Sequence, residues 1–139
     1  MNNMAVSCKL GAPDLSEANL KRIFEDATKA ANIAGNTWII EHSIPAFVVR
    51  DVFTGKIEGT MLDLCGNAHV VPSDKRSAFF KALKKFKILE DGRFSCVLPI
   101  YHAWRHRQEH GLQLACARAA IKVFNEHNIY AVKIWDYID

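Results

Sequence analysis

Apolar residues recur every three or four positions early in the chain. Leu20, Ile23, Phe24, Ala27, Ala31 and Ala34 share one face at helical spacing, which predicts a helix over 14–34. Asp14 is placed to cap it, with Glu17 three residues on as the reciprocal partner. Lys21, Arg22, Glu25 and Lys29 form the opposite, solvated face, and Gly35-Asn36 reads as a left-handed exit.

The period then shortens. Residues 37–42 are β-rich, Pro45 interrupts, and 46–53 resumes with Phe47, Val48, Val49, Val52 and Phe53. Thr54-Gly55 reads as a hairpin turn before a returning strand over 57–64. Cys65-Gly66-Asn67 marks a bend, and 68–71 continues extended toward Pro72. A helix capped by Ser73 or Asp74 runs to about Phe86 on a stripe of Phe79, Phe80, Leu83 and Phe86.

Asp91-Gly92 is a turn. A strand follows over 94–101, where Pro99 suggests an edge or a bulge. The helix expected over 108–127 is apolar round much of its circumference, so it should be the most buried, and Asn128 ends it. The last strand spans 129–137. The expected order is α-β-β-β-α-β-α-β. The expected fold class is α+β: a mixed four- or five-stranded sheet with three helices, its closing β-α-β a right-handed crossover.

The 139 residues fit a single domain, 1–139, with residues 1–12 expected to be loosely attached. A hydrophobic share of 50% against 24% charged residues excludes a disordered chain. The first residues lack the basic leader and apolar core of a signal peptide, and no run approaches a membrane helix. Cys8, Cys65, Cys96 and Cys116 are scattered, with no C-x-x-C pair, as free thiols of a reducing compartment would be. The expected location is therefore cytoplasmic, of a cell or of a host.

Charge is uneven. Residues 1–70 carry six Lys/Arg and eight Asp/Glu, whereas 71–139 carry twelve and seven. Lys81, Lys84, Lys85 and Lys87 crowd the end of one helix, where they also complement its dipole. A second basic cluster, Arg105 and Arg107, is flanked by Tyr101 and Trp104, and aromatics among arginines suit base stacking beside backbone contacts. A net charge of only +3 argues against a generic nucleic-acid coat protein.

Within residues 101–111, His102, His106 and His110 recur every four residues and would share a helical face. His106 and His110 are then a weak candidate metal pair. The string 106–110 also fits H-x-x-E-H of zinc peptidases. A third ligand is missing, because the one downstream glutamate, Glu126, lies about 24 Å away along a continuous helix. Cys65, at a bend near His69, is raw material for a Cys–His pair, and the plainer account is a buried thiol beside a glycine.

No nucleotide-loop or nucleophile-elbow pattern occurs, and no cofactor is expected. Two function classes remain. The leading one is a small binding or regulatory module that contacts an acidic protein surface or a nucleic acid, as a host-directed phage or viral inhibitor would. Its contacts would be Lys81, Lys84, Lys85, Lys87, Trp104, Arg105 and Arg107, with no membrane involved. The other is a small enzyme acting on an anionic substrate, with His106, Glu109 and Cys65 as catalytic candidates among 102–110. A homo-oligomer through the C-terminal strand is a further expectation, from Tyr130, Trp135 and Tyr137.

Overall fold

The computed structural model describes residues 11–42, 47–61, 63–89 and 97–139. Cys8, Cys96, Pro45, the Asp91-Gly92 turn, the start of the strand expected at 94 and nearly all of the N-terminal stretch lie outside these residues.

The first helix, α1, spans Glu17–Glu41. Ser16 caps it by accepting the Asn19 N–H, while Asp14 accepts the Ser16 N–H at 3.0 Å. The expected exit at Gly35-Asn36 is not there. The buried stripe runs on through Ala31, Gly35 and Trp38, so 37–41 is helical rather than extended. Burial of Trp38 against Leu112 and Cys116 outweighs the β preference of Ile39 and Ile40. Trp38 also stacks on the His42 ring, with centroids 4.0 Å apart.

Strands β1 (Phe47–Arg50) and β2 (Ile57–Met61) form an antiparallel hairpin. Its tip is knotted by Asp51, whose carboxylate accepts the Phe53 and Thr54 N–H groups at 2.7 and 2.9 Å. Gly55 takes a φ of 71°, which suits a residue without Cβ.

Strand β3 (Gly66–Pro72) leads to α2 (Ala78–Lys85), capped by Ser77. Helix α3 (His110–Glu126) precedes β4 (Val132–Ile138). Helices α2 and α3 stop in the same way. Lys87 and Asn128 turn left-handed, and the next N–H reaches back five residues, Ile88 to Leu83 and Ile129 to Phe124. Ile129 is buried in the same core cluster as Phe124, so each stop also fixes an apolar contact.

The expected four- or five-stranded mixed sheet is overturned. The described strands form two separate two-stranded antiparallel ladders, β1-β2 and β3-β4. The closing crossover fails too, because β4 runs antiparallel to β3, with His69 opposite Trp135 and Val70 opposite Ile134. Of the strand expected over 94–101, residues 97–101 are irregular. Pro99 explains it. It has no N–H to donate, and its fixed φ favours the tight turn in which Ile100 N–H bonds Leu98 O at 2.9 Å.

The core lies between α1, α2, α3 and the inner face of β3-β4. Leu20, Ile23, Leu83 and Phe124 are fully buried there, and each such side chain contributes roughly 1.5–3 kcal/mol. Phe24 and Phe79 meet Phe124 edge to face at 5.3 and 5.9 Å. Ala31, Trp38, Leu112 and Cys116 form a second cluster between α1 and α3.

Candidate functional site

One edge of β3 is taken by β4. The other edge faces the segment between Leu98 and Gln108, which is pinned to it at two points. Leu98 N–H bonds Val70 O at 2.9 Å, and Gly66 N–H bonds Gln108 O at 2.8 Å. Four strand residues cover about 13 Å. The intervening chain from 98 to 108 is far longer than that gap, so it arches away from the strand and leaves a cavity of about 330 Å³. Ala68 N–H, on the same bared edge, is satisfied by the side chain of Asn67 at 2.8 Å.

Three residues hold the arch in place. Buried Gln113 on α3 donates from Nε2 to Trp104 O at 2.6 Å and to Arg107 O at 3.0 Å. Asn32 on α1 accepts the Ala103 N–H at 2.7 Å through its side chain, and its backbone oxygen accepts from Trp104 Nε1 at 3.3 Å. The indole of Trp104 fills the space over Gly35, so closely that a Cβ there would overlap the ring. Trp104 is thus half-buried and serves as the anchor of the arch.

The cavity floor is apolar and built of small residues, Cys116, Ala117 and Ala120 of α3. Burial pushes the Cys116 thiol up to about 11. His69, His102, Arg105 and His106 supply the titratable nitrogen groups of the lining, with Asn67, Tyr101 and Gln113 as its other polar members. His102 is 8% exposed, and its Nδ1 has no hydrogen-bond partner among the described residues. Its pKa lies below the ordinary histidine value, first because of burial and then because Arg105 and His69 are near. Burial lowers His69 in the same direction. Both imidazoles are therefore neutral near pH 7. The guanidinium of Arg105 lies 5.0 Å over the Tyr101 ring, and its Nε meets His106 Nε2 at 3.4 Å.

His69 links the cavity to the outer face of the β3-β4 ladder. It stacks on Trp135, with centroids 5.7 Å apart, and Trp135 abuts Tyr137 at 5.5 Å. Trp135 and Tyr137 are 45% and 41% exposed, so they stand on the surface rather than in the core, with Lys133 on the same side of the strand.

The other candidates go elsewhere. Residues 101–108 are turn and irregular chain, Glu109 forms a bridge, and α3 begins only at His110, so His102, His106 and His110 do not share a helical face. His110 Nε2 pairs with Asp136 at 2.8 Å, and among the described residues no three His, Cys, Asp or Glu side chains gather as a metal site would need. Glu109 is 7% exposed and is clamped by both nitrogen arms of Arg107, at 2.5 and 3.2 Å. Burial, the largest single influence, would raise its pKa, but the Arg107 hydrogen bonds and charge together with the backbone N–H groups of Glu109 and Gln108 more than offset it and hold the carboxyl below its ordinary value.

Cys65 pairs through its backbone with Glu109, accepts the Asp139 N–H, and sets its thiol 3.9 Å from Gln108 Oε1. Neither Glu109 nor Cys65 lines the cavity. Asp63 was not singled out from sequence. It takes over the cap of α3 by accepting the Gly111 N–H at 2.6 Å, from 48 residues away in the chain. Lys81, Lys84, Lys85 and Lys87 are exposed along α2 and its exit, outside the cavity lining.

No helix among the described residues is long and apolar enough to cross a membrane. Comparison with protein-family models, curated proteins and solved structures returns no match.

Proposed function

We propose that this chain is a binding module for single-stranded nucleic acid. The observation that carries the reading is one continuous surface. Exposed Tyr137 and Trp135 run through half-buried His69 directly into a cavity whose lining includes His69, His102, Arg105 and His106. Exposed rings accept stacked bases without regard to sequence, and Lys133 and Arg105 flank them for the phosphates. The α2 lysines add long-range attraction for a polyanion.

The test is fluorescence anisotropy with short labelled DNA and RNA single strands, across a salt series. The expected result is binding whose affinity falls with salt, by about 0.7 log units per log unit of salt for each phosphate engaged. Arg105→Glu and Trp135→Ala should each weaken it. Equal affinity for an acidic peptide would assign the surface to an acidic protein partner instead, and no binding to any strand would end the reading.

A second reading keeps a specific observation in its favour. Three imidazoles and an arginine at one cavity are also the groups of a general acid/base site on an anionic substrate. Loss of strand integrity during those titrations, abolished by His102→Asn, would move the enzyme reading ahead.

A further inference from the structure

We propose that the cavity under the arch admits one unstacked base of the bound strand, a step that rests on the nucleic-acid reading above. The cavity sorts its lining by chemistry. Its floor, Cys116, Ala117 and Ala120, is a row of small apolar residues on one face of α3, and Val70 and Leu98 close its sides. A thin, flat, largely apolar body fits that space, and its volume lies in the range of small-molecule sites, about 300–1,000 Å³.

The polar atoms indicate what else the occupant carries. Among the described residues His102 Nδ1 is buried and has no partner, which is costly unless something bonds it. A neutral imidazole nitrogen offers either an N–H or a lone pair, and the edge of any base carries both kinds of complement. Arg105 and His106 supply a cation and an imidazole for the phosphate that follows the base, and the exposed ladder beyond His69 receives its neighbours. A simple anion would leave the apolar floor unused. An uncharged hydrocarbon would leave His102 unsatisfied.

The arrangement is preformed. Gln113 in the cavity wall, and Asn32 and the Trp104–Gly35 contact on the α1 side, hold the arch in place, so entry of a base does not first have to order the loop.

The experiment uses the full chain and single strands carrying the fluorescent base 2-aminopurine, with anisotropy of an end label read in parallel. Wild type should raise the 2-aminopurine signal on binding, as a base leaves its stack. Ala117→Leu fills the floor and leaves the exposed ladder, Arg105 and the α2 lysines in place. It should abolish that rise and weaken the strand by about tenfold, within the range a single stacked base contributes. His102→Asn, which leaves the floor unchanged, should reduce the rise while the fold is retained. The four nucleoside monophosphates, titrated calorimetrically, should bind wild type and not Ala117→Leu.

Strand binding with no 2-aminopurine change, equal in wild type and Ala117→Leu, overturns the base pocket and leaves the binding module standing. Monophosphates that bind while strands do not would keep the pocket and overturn the strand reading. Failure of both ends both.

Discussion

Replacement of Gly35 by Ala sets two known effects against each other. Ala is the better helix former by roughly 1 kcal/mol in a helix interior, and Gly35 lies well inside α1. Judged by propensity alone, Gly35→Ala stabilises the protein. The Trp104 ring decides otherwise. A Cβ at this position would overlap Cδ1 and Nε1 of the indole and come within 2.8 Å of Cγ. The indole cannot simply swing aside, since its Nε1 is bonded to Asn32 O and the flanking backbone is bonded to Asn32 and Gln113.

Overpacking of this kind costs about 1–3 kcal/mol. The net expectation is a loss of about 1 kcal/mol, measured as a lower urea midpoint at unchanged slope. Trp104→Ala removes the obstacle, and in that background Gly35→Ala should raise stability by about 1 kcal/mol. The sign reversal is the informative part. If Gly35→Ala shifts stability by the same amount and sign in both backgrounds, the account of the arch as anchored on α1 is wrong.

Three further outcomes are expected. Asp63→Ala removes the distant cap of α3 and should cost about 1 kcal/mol in urea unfolding, with Asp63→Asn intermediate because it keeps an acceptor but not the charge. Arg107→Ala strands the Glu109 carboxylate. Because Arg107 is 43% exposed and water screens it, the loss at pH 7 should be about 1 kcal/mol, the low end for a buried group left unpaired. Glu109 in the folded protein lies below its unfolded value of about 4.3, so its contribution is complete above that pH and is lost as pH falls through the folded value. The Arg107→Ala deficit should therefore shrink in strong acid, as read by urea midpoints across pH. His69 and His102 act in the region above this. Both are depressed in the folded state, so the unfolded chain binds more protons and stability should fall as pH drops below about 6.5 toward their folded values. His102→Phe should flatten part of that fall, and an unchanged slope would contradict the buried, neutral imidazole.

The sequence announced its helices better than its sheet. The periodic stripes of α1 and α3 and the Asn128 stop were readable because each is a local signal, fixed within one or two turns. The end of α1 was not. Gly35-Asn36 looks like an exit, but the tertiary partner that makes glycine necessary there, Trp104, is 69 residues further on. Strand pairing is non-local throughout, and nothing in 68–71 or 129–137 states that the two strands run antiparallel to one another. The site divides in the same way. Arg105 and the histidines of 101–110 were visible as residue types. Their expected helical alignment was wrong, because Gln113 and Asn32 hold that stretch as an arch of turns. In the sequence His69 stands out only as a neighbour of Cys65, and His102 only as a member of the evenly spaced 102–110 set with its acid/base reading. Their shared cavity depends on where β3 meets the arch. Asp63 carried no signal at all.

The buried thiol in the cavity floor also makes the molecule its own reporter. Cys116 is inaccessible and its pKa is high, so thiol reagents should modify it only during moments when the arch lifts from α3. Its labelling rate, read by mass spectrometry apart from the other three cysteines, is then a clock for that opening. A bound occupant should slow the clock, while global stability sets the slowest rate it can show. The same residue that gives the cavity a smooth floor thus times the excursions of the loop above it.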